Sequence, residues 1–462
     1  MVRLNRRQFT RGLLGAAASA GLPGISRAAE TPGLVAQTGA VQLAPAGFPK
    51  TEIWGYAGAV PGPPIRVDQG ARIARRFLNR LPQASSVHWH GVRLDNAMDG
   101  VAGLTQEAVA PDDAFLYDFA VPDAGTFWYH SHNRSWEQMA RGLYGALIVD
   151  EAEGAPVADR DDVLLLDDWR LDNAAQIADD FGALHDWAHA GRLGNWITVN
   201  GDGAWSAEAA RFSRLRLRLI NAANARNFSL EARGLEGWVV ALDGMPLATP
   251  QPLGRLALAP AQRADLIVDV TANDGGEAFL VSFERDGGYA IATFAVAGSA
   301  RATRLPAPLP LPANPVPELG PLDAALRVDL LMEGGAMGGL RGAMMDGRMT
   351  DMRALAAAGK VWAFNGMADM PERPLLEAGR GETIRLAMIN DTAWPHAMHL
   401  HGHHFRRIAA DGAPGPLRDT LLVARGETAE IAFVAGNPGD WLLHCHMLEH
   451  AAGGMMTWLR VT

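Results

Sequence analysis

Ten of the fourteen histidines and the single cysteine gather into short clusters in which imidazoles recur two residues apart. His88 and His90 form one pair, and His130 and His132 form a second. Near the C-terminus come His396, His399 and His401, then His444, Cys445, His446 and His450, with Met455 five residues beyond. On an extended strand residues i and i+2 point to one face, so each His-x-His pair offers two imidazoles to the same side. Cys445, held between His444 and His446, must then project to the other side. One short strand therefore serves two metal sites. A thiolate, two imidazoles and a weak thioether are the ligands of blue copper, and Cys445, His396, His450 and Met455 supply that set. The other eight imidazoles suit three further coppers, and four coppers hold the four electrons that convert O2 to water.

Zinc also takes His and Cys, but structural zinc sites are compact knots of four ligands. Eight paired imidazoles would be left without a role, so copper is the better metal. His185 and His189 could share a helix face, yet they lack a third ligand and read as solvated or core residues.

The elements that must position these groups are β-strands. With 51 glycines, 28 prolines and many short apolar runs, the 462-residue chain reads as all-β, and its length calls for several domains. Residues 31–152 form the first segment and residues 158–299 the second. The second alternates in RLRLRLINA and RADLIVDV, the period-two mark of half-buried strands. Residues 300–320 are proline-rich and read as an extended linker rather than a packed element. A third segment, residues 321–462, resumes with strands at TIRLAMIN and TAEIAFVA.

Charge narrows the partners. Residues 1–28 carry Arg3, Arg6, Arg7, Arg11 and Arg27 and no acid; setting these five aside from the 41 basic residues leaves 36 against 51 acidic ones. A body of net charge −15 with no basic patch repels phosphate backbones and anionic lipid, so nucleic acid is not an expected partner. The run from Asn5 to Arg11 holds a twin-arginine pattern, followed by a short apolar stretch and small residues at Ser26 and Ala28. The expectation is a signal peptide over residues 1–28, the twin-arginine export machinery as a partner, and a periplasmic protein without stable membrane insertion. A monomer is expected.

The motifs HWHG, WYHSH, HAMHLHG and HCHMLEHAAGGMM, in this order and spacing, resemble those of the multicopper oxidases over nearly the whole chain after the leader. The resemblance implies three cupredoxin-like Greek-key β-sandwich domains, with a blue copper in the third and a trinuclear cluster between the first and third. It assigns His396, Cys445, His450 and Met455 to the blue site, and His88 and His399 to the type 2 copper. His90, His130, His132, His401, His444 and His446 go to the type 3 pair, and the histidines flanking Cys445 carry electrons to the cluster. Because the family pattern ends at Gly402, His403 and His404 fall outside the ligands. Asp99 matches a family acid beside the type 2 copper. Where many relatives carry a carboxylate after the second blue-site histidine, this chain has Ala451, and Glu449 or water would have to substitute.

The activity expected is one-electron oxidation of a reductant coupled to reduction of O2. The reductant is read from two conflicting signals. Met337, Met344, Met345, Met349 and Met352 lie in a glycine-rich stretch, and thioethers select Cu(I). Yet Thr392 and Trp394 stand where relatives specialised for Cu(I) present Asp and Met, and Trp394 could wall a pocket for a flat phenol. The reading is a broad laccase that also takes Cu(I), with a dedicated cuprous oxidase as the alternative. A non-catalytic assembly or division factor would have lost these ligands, and a two-domain copper nitrite reductase would lack the third sandwich.

Overall fold

A computed structural model describes residues 32–284 and 287–462. The expected signal peptide lies outside the described residues. Strands dominate and form three two-sheet sandwiches. In the first, a four-stranded sheet carrying Gly33–Val41 and Arg72–Asn79 covers a second sheet ordered Gly62–Asp68, Tyr144–Asp150, Gly125–Ser131, Val87–His90. The second sandwich pairs a six-stranded with a five-stranded sheet. The third pairs a six-stranded sheet with one ordered Leu376–Ala378, Met456–Val461, Gly439–Cys445, His396–Leu400, Thr420–Val423. Among the described residues no helix is long and apolar enough to cross a membrane.

The first and third sandwiches share one contiguous apolar core. Trp89, Phe127 and Tyr129 from the first and Trp362, Met398, Trp441 and Leu443 from the third all belong to it. The second sandwich has its own core, with Leu215, Leu217 and Leu219 pointing inward from Arg214–Asn221. Each fully buried leucine contributes about 1.5–3 kcal/mol, so a one-residue slip of that strand is strongly disfavoured.

The structure corrects the half-buried reading of this strand and of Arg263–Val270: every residue in both is buried. The arginine face of Arg214–Asn221 is covered and ion-paired. Arg214 meets Asp269, Arg216 meets Glu151 and Asp265, and Arg218 meets Asp161 and Asp265. Thr126 of the first sandwich donates to Asp265 at 2.6 Å, so this face is an inter-sandwich contact. Leu-Arg alternation is the same whether the polar side meets water or another domain. Its charges here are compensated by partners, as buried ions must be.

The proline-rich segment carries no strand or helix, as expected, but it is packed. Leu311 is buried against Val240 and Ile267, and the Asn314 side chain bonds both the N–H and the carbonyl of Ala124. The chain between sandwiches is thereby fastened to the first and second.

Candidate metal centre

Strand pairing sets the histidines side by side. His88 faces His130 across the pair Val87–His90 and Gly125–Ser131, and His399 faces His444 across His396–Leu400 and Gly439–Cys445. Met398 lies opposite Cys445 in the same register. His396 and His399, an odd number of residues apart on one strand, serve opposite faces.

On one face His396, Cys445 and His450 converge. Their Nδ1 atoms are 3.1 Å apart, and Cys445 Sγ is 3.7 and 3.8 Å from them. The other ring nitrogens are engaged: His396 Nε2 bonds Thr392 Oγ1 at 2.8 Å and His450 Nε2 donates to the His189 carbonyl at 2.7 Å. Both Nδ1 lone pairs therefore face the sulfur. Trp362 packs on the two rings, and buried Met455 accepts the Cys445 N–H on its carbonyl at 3.1 Å. Burial pushes the thiol up to about 12 and holds His450 down at about 4, so the imidazole is neutral and the thiol keeps its proton until a bound cation displaces it.

On the opposite face lie the eight other imidazoles, contributed by the first and third sandwiches. Donor nitrogens of His132, His401 and His444 lie within 4.8 Å of one another. His130 Nε2 is 3.5 Å from His90 Nδ1 and 3.4 Å from His446 Nε2, making a second triad. His88 and His399 remain, with His88 Nε2 and His399 Nε2 buried and without hydrogen-bond partners. Desolvation first, then neighbouring imidazoles, holds His90, His399 and His401 well below the ordinary histidine value. Burial also lowers His444 to about 4.

Backbone and carboxylate acceptors fix the rings. His88 Nδ1 donates to the Asp99 carbonyl at 2.9 Å, and His401 Nδ1 donates to Asp99 Oδ2 at 2.9 Å. His130 and His444 donate to the carbonyls of Ser131 and Cys445 at 3.0 and 2.9 Å. In each case the remaining nitrogen points inward with a free lone pair. An unpaired buried polar atom costs about 1–3 kcal/mol, so a ring of them fits cations and little else.

Asp99 is buried against two of the imidazoles. Glu449 is buried too, but its hydrogen-bond partner is Asn224 of the second sandwich at 3.0 Å rather than an imidazole. Burial pushes its carboxyl up to about 7. Ala451 instead lines a cavity of 450 Å³ floored by His130, His132 and His444. The rings of His403 and His404 lie outside both triads: His403 Nδ1 donates to the His401 carbonyl, and His404 Nε2 is 3.7 Å from Asp419. The rings of His185 and His189 stack at 4.1 Å, while the His189 backbone serves His450. The five methionines are divided. Met337 and Met349 are 78% and 73% exposed, and Met352 packs near Leu355. Met344 and Met345 line a 600 Å³ cavity with Met367, Met370 and Met456. Asp419, whose carboxylate is 3.3 Å from His90 Nε2, escapes sequence reading because a lone acid at the bend between Pro414–Arg418 and Thr420–Val423 carries no spacing signal; its place in the Arg-Asp-Thr run 418–420 is the available clue.

Two sandwiches presenting a cysteine–histidine site on one face of a strand and eight imidazoles on the other define a copper oxidase. Models described as multicopper oxidase match residues 37–154, 160–299 and 345–462. Multicopper oxidase MmcO of Mycobacterium tuberculosis is 30% identical over 431 residues, covering 87% of this chain and 82% of its own. Among solved structures, Lac15 from a marine microbial metagenome is 41% identical with a TM-score of 0.77, covering 94% of this chain and 100% of its own. The multi-copper oxidase from Pseudomonas thermotolerans is 32% identical with a TM-score of 0.81, covering 93% and 98%. The chain belongs to the multicopper oxidase family. It is a laccase-like oxidase of three cupredoxin domains with O2 as acceptor, and the family's four copper ions match the histidine clusters.

Proposed function

We propose that His396, Cys445, His450 and Met455 would hold the type 1 copper, and that His444 and His446, flanking Cys445, would link it to a trinuclear site. His88 and His399 take the type 2 position; His132, His401 and His444 take one type 3 position and His90, His130 and His446 the other. The observation that carries this is the convergence of eight imidazoles with ring nitrogens in reach of one another: His132 with His401 and His444, His130 with His90 and His446, and His88 with His399 and His401. Bound copper supplies one-electron redox steps and a site for O2. The protein's own part is to orient the ten imidazoles, to exclude bulk water and, by burial, to keep rings such as His90, His399 and His401 neutral. Asp99, bonded to His401 and against His88, is the carboxylate assigned here to proton relay at the trinuclear site. Glu449 ties its helix to the second sandwich. The cavity lined by Ala451 gives a small neutral molecule an approach to His130, His132 and His444.

For the reductant, the reading is a broad laccase that also oxidises Cu(I). Trp394 packs 5.4 Å from His189, whose carbonyl receives the His450 N–H, so a flat aromatic donor near Trp394 sits close to the blue site. The cavity walled by Met344, Met345 and Met370, together with Asp369, favours the cuprous reading as a second activity. Twin-arginine export to the periplasm is proposed from residues 1–28. The test is O2 uptake by copper-loaded protein with Cu(I) or a dimethoxyphenol, each with and without added Cu(II). Phenol oxidation without added Cu(II) supports the laccase reading; oxidation of phenol only with added Cu(II) makes the protein a cuprous oxidase. Met344→Leu with Met345→Leu should lower only the Cu(I) rate.

A further inference from the structure

The second sandwich contributes none of the proposed ligands, yet one of its arginines reaches the trinuclear site. Arg263 grips Asp419 with two parallel bonds, Nη1 to Oδ1 at 2.8 Å and Nη2 to Oδ2 at 2.5 Å. Both side chains are fully buried. Arg263 also donates from Nε to the Thr126 carbonyl of the first sandwich at 3.2 Å. Asp243 braces the pair, accepting the Arg263 N–H at 2.9 Å and Arg418 Nε at 2.6 Å.

Asp419 faces two imidazoles from different sandwiches. His90 Nε2 is 3.3 Å from its Oδ1, and His399 Nδ1 donates to its carbonyl at 2.9 Å. Thr420 Oγ1 donates to Asp419 Oδ1 at 2.8 Å and lies 3.2 Å from His399 Nδ1. The two rings stack at 3.7 Å with an 18° tilt, so both present N–H groups to this one residue. A carboxylate gripped by a guanidinium only accepts hydrogen bonds, which fixes the proton of His90 on Nε2 and frees Nδ1 for the triad with His130 and His446. Gly91 completes the fit: at φ +84° it turns the chain after His90, and a Cβ there would collide with Arg263 Nη2.

We propose that Arg263 is a positioning residue for the trinuclear site, acting through Asp419 to set the tautomer and orientation of His90 and His399. The second sandwich thereby controls metal occupancy at a cluster built by the other two. This rests on the ligand reading above.

The test uses copper-loaded full chain. Arg263→Lys keeps the charge but loses the fork, and Asp419→Asn keeps the shape but loses the charge held by Arg263 and puts an amide N–H against either Arg263 or His90. Each should keep the blue band while copper content, the near-ultraviolet absorption of the paired coppers and O2 uptake fall, the last by about 10–100-fold. Arg216→Gln, which breaks a buried ion pair away from the cluster, should lower the melting temperature and leave the near-ultraviolet band intact. If Arg263→Lys does not fold, Asp419→Asn decides alone. Full near-ultraviolet absorption and uptake in Asp419→Asn overturns the proposal, as does equal loss of the band in Arg216→Gln. A wild-type protein that loads copper without that band would instead overturn the ligand reading.

Discussion

His401 and His444 aim their Nε2 atoms at each other across 3.1 Å, while the Nδ1 of each donates to an acceptor, Asp99 and the Cys445 carbonyl. Neither Nε2 can donate, so two lone pairs face one another in a buried site. Burial keeps both rings from relieving this by taking up a proton, since both are held below the ordinary histidine value. A cation between them resolves the repulsion.

Copper removal should therefore destabilise the fold. A site held about a thousandfold above its Kd contributes about 4 kcal/mol. Calorimetry of the chelated and reloaded protein should show a clearly lower melting temperature for the chelated form; coincident transitions would mean that the imidazole ring is stable without metal.

Asp99→Asn should slow O2 reduction by about 10–100-fold and leave the blue band unchanged. The side chain contacts His401 and His88 but none of His396, Cys445 and His450. Stopped-flow reoxidation of the reduced protein separates the two sites, and unchanged reoxidation would remove Asp99 from proton handling.

Away from copper, Asp167 is buried beside Asp168 and receives the Tyr144 hydroxyl at 2.6 Å. Desolvation, then the Asp168 charge, raises its carboxyl well above the ordinary aspartate value. A raised folded-state value means that its contribution to stability is present below the ordinary aspartate range and is lost as pH climbs through the folded value. Asp167→Asn imitates the neutral acid, so it should melt above wild type at neutral and alkaline pH and converge with it in acid. A gap independent of pH would place the cause elsewhere.

The metal groups were legible because their chemistry is periodic. Strand alternation alone sends Cys445 away from His444, and the odd spacing of His396 and His399 sends those two to opposite faces. What stayed hidden depends on contacts between sandwiches. Arg214, Arg216 and Arg218 look like a solvated face until Asp269 and the Leu305 carbonyl meet the first, Glu151 and Asp265 the second, and Asp161 and Thr126 of the first sandwich the third. Asp419 is one acid among many until Arg263, 156 residues earlier in the chain, closes on it. The His189 carbonyl that receives the His450 N–H is backbone and leaves no mark in residue type. Likewise the methionine stretch reads as one group, but the turn at Asp346 and Gly347, both at positive φ, folds it into a hairpin in which Met344 lines a cavity while its cross-strand partner Met349 stays exposed.

If the ligand assignment holds, this chain reduces O2 fully to water at the eight-imidazole site with electrons drawn through Cys445. The most direct measurement is O2 consumption against a known quantity of one-electron reductant, with catalase added at the end. Four equivalents should be consumed per O2, catalase should return no oxygen, and Cys445→Ser should lose both the blue band and the consumption. Release of oxygen on adding catalase, or a Cys445→Ser variant that remains blue and active, would contradict it.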